Sequence, residues 1–280
     1  LTKRLRPLAD GFIGAATVTT GASDQTVAVA VVQYNDTSLL SFNAFTTDGS
    51  TAPVMPLVSH GYYNSRTGIQ IQNTGSSATD VTVSYTPSAG FPGAACSETK
   101  TVAAGASGNF GDSPLFEDPS FPCGPMSGGA SGFVGSAKVT ANSASQNLVA
   151  IVNSVTTGSP NQSAYSAFDA SSATSSVNLP LIMDRNYGIF TGFSIANVGT
   201  SATDVSCTFS NSAVTASQTG LAPGGAMTIV TTVGGTTPIA DGYVGAANCT
   251  ASGGDALIVG VVNQLGGSGD SLLTYEGFNY

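Results

Sequence analysis

Apolar and polar residues alternate along most of this chain. Across 67–73, Ile69 and Ile71 take one phase and Gln70 and Gln72 the other. Across 81–85, Val81, Val83 and Tyr85 alternate with Thr82 and Ser84. A period of two marks a half-buried strand. No segment carries a sustained apolar stripe at helical spacing. Clusters of Gly, Asn, Ser and Pro at 73–77, 87–89, 158–160 and 222–225 interrupt the alternation. Short strands separated by such turns predict a β-sandwich.

The alternation is itself repeated. "GFIGAATVTTGASDQTVAVAVVQYN" from Gly11, "GFVGSAKVTANSASQNLVAIVNSV" from Gly132 and "GYVGAANCTASGGDALIVGVVNQL" from Gly242 are copies of one block, B. "MPLVSHGYYNSRTGIQIQNTGSSATDVTVSY" from Met55 and "LPLIMDRNYGIFTGFSIANVGTSATDVSCTF" from Leu179 are copies of a second block, A. The order is B-A-B-A-B, and each copy is one structural unit duplicated. Block A predicts strands around Pro56, Ile69, Val83 and Val102. Block B predicts strands around Val139, Val149 and Tyr165. Together they give about seven strands, the number in an immunoglobulin-like sandwich. The expected fold class is all-β: tandem immunoglobulin-like β-sandwich domains at 51–172 and 173–280. An N-terminal half-domain, 1–50, precedes them without an A block.

Composition narrows the function. Of 280 residues, 41% are hydrophobic and only 8% charged, against about 25% charged in ordinary soluble domains. Such a hydroxyl-rich, weakly charged surface fits a secreted β-protein or a subunit covered by its neighbours. The net charge of −9 excludes nucleic acid as a partner, because phosphate binding needs clustered cations. Lys3, Arg4 and Arg6 form the one basic cluster, either a basic arm or, as the preferred reading, the edge of the chain. The longest apolar runs, 27–32 and 257–262, are strand-sized, so no membrane-spanning segment is predicted. The chain opens on Leu1 without a signal peptide or anchor and is read as a mature or partial product.

The cysteines test the A-plus-B pairing. Cys207 aligns with Val83, and Cys249 with Val139 and Val18. Each replaces a buried-phase Val, so the two positions are expected to touch across the core and to form a disulfide. Cys96 and Cys123 bracket an insertion found only in the first A copy and are expected to staple it. Four cysteines allow three connectivities, and these two pairs are the ones predicted. Each adds about 3 kcal/mol by chain entropy. Free thiols in a reducing compartment are the alternative, which the surface composition disfavours.

Catalytic signatures are absent. The single His, His60, aligns with Asp184 and is read as part of a solvated turn. There is no nucleophile elbow, P-loop or dinucleotide fingerprint, and the cysteines lack zinc spacing. No catalytic, cofactor-binding or metal residues and no cofactor are assigned. Asp112, Glu117 and Asp118 lie in the insertion, but their spacing matches no calcium loop. Asn153, Asn263 and Gln33 end equivalent strands and are expected to bond neighbouring backbone. Phe42, Tyr165 and Tyr275, with Phe45, Phe168 and Phe278, recur in every B copy and are read as packing. Asn35, Asn161 and Asn248 stand in N-x-S/T sequons. Lys138, in outward phase beside Val139, is a poor candidate for an internal cross-link.

The recurring "LPL", "TG-I-I-N-G-ATDV", "GSA-V" and "VVN" elements resemble repeat modules of large secreted and cell-surface proteins of filamentous green non-sulfur bacteria. The resemblance covers nearly the whole chain. It implies an extracellular β-sandwich module, often in tandem, and brings no catalytic residues with it.

Three strands with one apolar face cannot stand alone. The half-domain is therefore expected to be completed by an upstream segment, by the next module, or by a strand of another copy. The last arrangement, repeated head to tail, is a non-closing contact that builds a filament. The expected function is a structural subunit of an extracellular filament or sheath, with other copies of itself as partner. The candidate donors are the 1–9 and 272–280 segments. The rival reading is a cell-surface adhesin or carbohydrate-binding module. Its candidate surface is Tyr62, Tyr63 and the 111–125 insertion, and its partners are surface glycans. A secreted hydrolase lacks any supporting motif.

Overall fold

The computed structural model describes residues 14–18, 21, 29–34, 39–45, 49–111, 123, 132–267 and 272–280. It is all-β. Among the described residues, one short 3₁₀ turn, Ala170–Ser172, is the only helical element.

The N-terminal unit contributes one hairpin, β1 (Ala30–Tyr34) and β2 (Leu39–Asn43), in its own sheet. The next unit runs β3 (Val54–Tyr62), β4 (Ser65–Asn73), β5 (Thr79–Pro87), β6 (Cys96–Val102), β7 (Ser107–Gly111), β8 (Phe133–Ala141), β9 (Leu148–Thr156) and β10 (Gln162–Ser166). The last runs β11 (Ser176–Asp184), β12 (Ile189–Asn197), β13 (Thr203–Phe209), β14 (Thr215–Leu221), β15 (Ala226–Val230), β16 (Tyr243–Ser252), β17 (Ile258–Gly266), β18 (Leu273–Glu276) and β19 (Phe278–Asn279).

Strand neighbours are the same in the two larger units. In the last unit, β15-β12-β17-β18 form one sheet and β14-β13-β16-β11-β19 the other. In the middle unit, β7-β4-β9-β10 and β6-β5-β8-β3 repeat that order, without a counterpart of β19. There a hairpin contact between β3 and β4 joins the two sheets at one corner. Left-handed backbone at Tyr63 (φ 47°) and Asn64 (φ 62°) makes the type I′ turn that closes this corner. Tyr187 (φ 50°) and Gly188 (φ 78°) do the same between β11 and β12.

The middle unit thus has eight described strands and the last nine, rather than about seven, because block A contributes five. The unpredicted strands are β7 and β15. β7 reads SGNFG, and its only fully buried side chain is Phe110, too little for an alternation to register. The adjacency also differs from the immunoglobulin order. The second and fifth strands are neighbours, as are the third and sixth, as in that fold. The first and seventh strands have exchanged sheets, and the fourth has moved beside the third.

The alternating residues fill each interior. Ile69, Ile71, Val81, Val83, Phe133, Val139 and Val152 are buried in the middle unit. Phe193, Ile195, Val205, Cys207, Cys249 and Val262 take matching places in the last. The conserved-looking "N-x-G-x-S" turn is a plug. Buried Asn73 donates to the carbonyls of Ser77 and Val102 and accepts from Gly75 N–H. Asn197 repeats all three bonds with Ser201, Leu221 and Gly199.

The two larger units also share a wall. Ala196, Ala226, Val259 and Val261 on the outer face of β12, β15 and β17 join the core of the middle unit. Hydroxyl groups are satisfied across this contact, as burial requires. Thr228 Oγ1 lies 2.7 Å from Ser88 Oγ and 2.8 Å from Ser194 Oγ, and Ser136 donates to Gly224 O at 2.6 Å. The Lys138 stem lies at the same seam, against Gly224. One sheet is therefore buried on both faces.

Candidate functional site

The last strand of each B block carries the residues that tie the sheets together. Pro56 and Pro180 stand inside β3 and β11, where a missing N–H is tolerated only at an edge or bulge. The pairing register slips there, between Met55 and Val58 and between Leu179 and Ile182. The backbone left out of the ladder is met by a tyrosine. Tyr165 Oη donates to Leu57 O at 2.6 Å and accepts from Leu57 N–H at 3.2 Å. Tyr275 makes the same two bonds to Leu181, at 2.6 and 3.2 Å. Burial pushes both phenols upward, Tyr275 to about 12. The hairpin register places Phe42 opposite Val31, as Tyr165 lies opposite Val152. Phe42 is thus the third member of the set, and it has no hydroxyl.

These three strands meet around one groove. β2, β10 and β18 line an open cavity of about 750 Å³. Phe42, Phe45, Tyr165, Phe168, Tyr275 and Phe278 are among its lining residues, two from each B copy. Tyr165 and Phe168 are buried, whereas Phe278 is 62% exposed. Among the described residues, each strand pairs on one side only: β2 with β1, β10 with β9 and β18 with β17. Open strand edges invite a further strand.

The groove is acidic. Glu276 accepts a hydrogen bond from Ser166 N–H at 2.9 Å, linking β18 to the end of β10. Desolvation at that contact raises the Glu276 carboxyl above its ordinary value. Asp169 caps the 3₁₀ turn by accepting from Ser171 and Ser172 N–H at 2.7 and 3.1 Å. Among the described residues, no cation pairs with either carboxylate. An aromatic, acidic groove bounded by strand edges is suited to an extended, cationic segment.

The repeated aromatics were legible as packing; their convergence was not, since adjacency of three distant strands has no local signal. Glu276 replaces Ser166 and Asn43 of the other copies, and that difference was its only mark.

Other sequence-singled residues have structural places. His60 and Asp184 are buried rather than solvated, at 2% and 0% exposure. Left-handed Gly61 and Arg185 follow them, and at His60 the ladder also carries a bulge. Asp184 pairs with Arg185 Nε at 2.7 Å and accepts from Ile239 N–H at 2.7 Å, holding the loop before β16. Tyr62 meets Tyr63 and Phe91 edge to face at 4.8 and 5.8 Å between ring centres. Asn263 bonds a side chain, Thr274, rather than backbone, at 2.6 Å. The register places Val32, not Gln33, at its equivalent position. Asn248 is held by Asn178 at 2.8 Å. Lys3, Arg4, Arg6, Asn35, Asp112, Glu117 and Asp118 lie outside the described residues.

Cys96 is bonded to Cys123 and Cys207 to Cys249. The second pair does not bridge the two sheets across the core. Cys207 and Cys249 are direct partners on neighbouring strands β13 and β16, as Val83 and Val139 are on β5 and β8. Their Cα atoms are 4.0 Å apart, the short spacing of a non-hydrogen-bonded cross-strand pair. Among the described residues, no three His, Cys, Asp or Glu side chains gather to hold a metal ion, and no helix is long and apolar enough to cross a membrane. No protein-family model, curated protein or solved structure matches this chain.

Proposed function

We propose that this chain is a structural subunit of an extracellular filament or sheath. Its two larger units, tandem sandwiches related to the immunoglobulin type, form the rod. The N-terminal B block is the joint, completed by a strand of a neighbouring copy. The observation that carries this reading is one repeated position. Val139 and Cys249 are 0% exposed, whereas Val18 is 56% exposed. The same residue phase that A-block strands cover in two copies faces solvent in the third. A two-stranded hairpin is marginal alone, so a covering strand from outside it stabilises the fold. Such a contact joins two different surfaces and generates an open chain of subunits. Two disulfides and the resemblance to surface-protein modules fit an extracellular place.

A second reading, a glycan-binding module, draws on the Tyr62, Tyr63 and Phe91 grouping, where Tyr63 is 62% exposed. Electron microscopy of the native material, with subunit mass on the same sample, separates the two. Regular filaments of a chain near 27.7 kDa that disappear when residues 1–50 are deleted support the structural reading. Filaments indifferent to that deletion sink the joint. Dispersed monomers that bind glycans move the second reading ahead.

A further inference from the structure

We propose that the groove between β2, β10 and β18 receives residues 1–10 of a second copy, LTKRLRPLAD, as an extended segment. This rests on the filament reading and names the contact that makes it.

The first argument is charge. The chain has seven cations, and three of them are Lys3, Arg4 and Arg6. The other four lie within the larger units. Lys100 pairs with Glu98 at 3.0 Å and Arg185 with Asp184. Arg66 is 9% exposed within β4, and Lys138 lies at the seam between the units. The groove meanwhile presents Glu276 and Asp169, neither of which has a cationic partner among the described residues. The only basic cluster in the sequence and this unneutralised groove are complementary.

The second argument is shape and chemistry. Three one-sided strands border the groove, so an incoming chain finds backbone donors and acceptors along its length. Phe42, Phe45, Tyr275 and Phe278 line it outside the buried core, and Phe278 is 62% exposed. Arginine guanidinium groups stack on such rings, and Leu1, Leu5 and Leu8 of the segment cover apolar surface. The bordering strands are four or five residues long. That is about 17 Å of strand, which five or six extended residues span. The six residues from Leu1 to Arg6 are long enough, and Pro7, which has no N–H to donate, would end the ladder there.

The test uses the full chain. Sedimentation velocity compares the wild type with the triple variant Lys3→Glu, Arg4→Glu, Arg6→Glu and with Glu276→Lys. Each variant is expected to raise the concentration for half-assembly at least about tenfold, since like charges then face each other across the groove. Their equimolar mixture is expected to recover assembly as alternating copies, because the reversed segment of one fits the reversed groove of the other and the two unchanged partners still fit each other. Unchanged melting of each variant shows that folding is intact. Variants that assemble as the wild type does overturn the proposal and leave the filament reading standing. A wild type that is monomeric at every concentration removes the filament reading itself. A monomer whose melting temperature falls on reversal of the basic segment shows that the chain fills its own groove, which also overturns the proposal.

Discussion

The tyrosine that closes each larger unit offers the most direct test of the structure. Tyr165→Phe removes one oxygen and leaves the ring, so no cavity of consequence forms. What is lost is the partner of both Leu57 N–H and Leu57 O, at 3.2 and 2.6 Å. Leaving such groups without their partner costs about 1–3 kcal/mol where water cannot replace it. Tyr165 is 4% exposed, which places the loss in the upper part of that range. The Tyr275 contact is more open, so Tyr275→Phe is expected to cost about 1 kcal/mol, with water recovering part of the bond. At this chain length 1 kcal/mol corresponds to about 2–4 °C in melting temperature. Urea unfolding of the three proteins, with m-values compared, gives the differences directly. A Tyr165→Phe change below about 0.3 kcal/mol, smaller than a typical hydrogen bond, would refute the reasoning. So would a larger loss at Tyr275 than at Tyr165. Phe42→Tyr serves as the control and is expected to leave the isolated chain unchanged, because among the described residues no bulged strand faces Phe42.

Two further outcomes follow from the repeat. Replacing Cys207 and Cys249 together by Val restores the Val83–Val139 pairing and is expected to keep the fold while lowering stability by about 2–4 kcal/mol through lost loop constraint; calorimetry of the oxidised protein and the double variant checks it, and a chain that fails to fold argues against equivalence of the two pairs. Asp255 is held at about 2, first by Thr200 N–H and also by the Ser201 and Thr200 hydroxyls. A folded value below the ordinary carboxylate value means its contribution is present above about pH 4 and is lost as pH falls toward 2. The melting difference between wild type and Asp255→Asn should therefore vanish at the acid end of a titration, and a difference that grows there contradicts the assignment.

Much of the fold was legible because period-two alternation and internal duplication reinforce each other. Ile69, Ile71 and Val83 each pointed inward by phase alone, and their copies agreed. The β7 strand was not legible, since SGNFG offers one buried ring among small residues. The burial of His60 was hidden by a bulge that resets the phase by one residue. The shared wall left a trace only in differences between copies. Gln70 and Gln72 face outward on β4, whereas Ser194 and Ala196 take those positions on β12. Shortening of an outward-facing side chain in one copy signals contact, but a single copy shows only a polar or small residue. The groove was illegible for another reason. Its six rings come from three segments more than a hundred residues apart, brought together by unit packing that no local pattern encodes.

A sheet buried on both faces leaves no slack between the two larger units. Bending at that seam would part Thr228 from Ser88 and Ser136 from Gly224 and would open apolar surface at Ala196 and Val259. A fibre made from this chain would therefore behave as a series of inflexible links. Its compliance would be confined to one place per subunit, at the N-terminal hairpin, and its bending elasticity would be set by the spacing of those places.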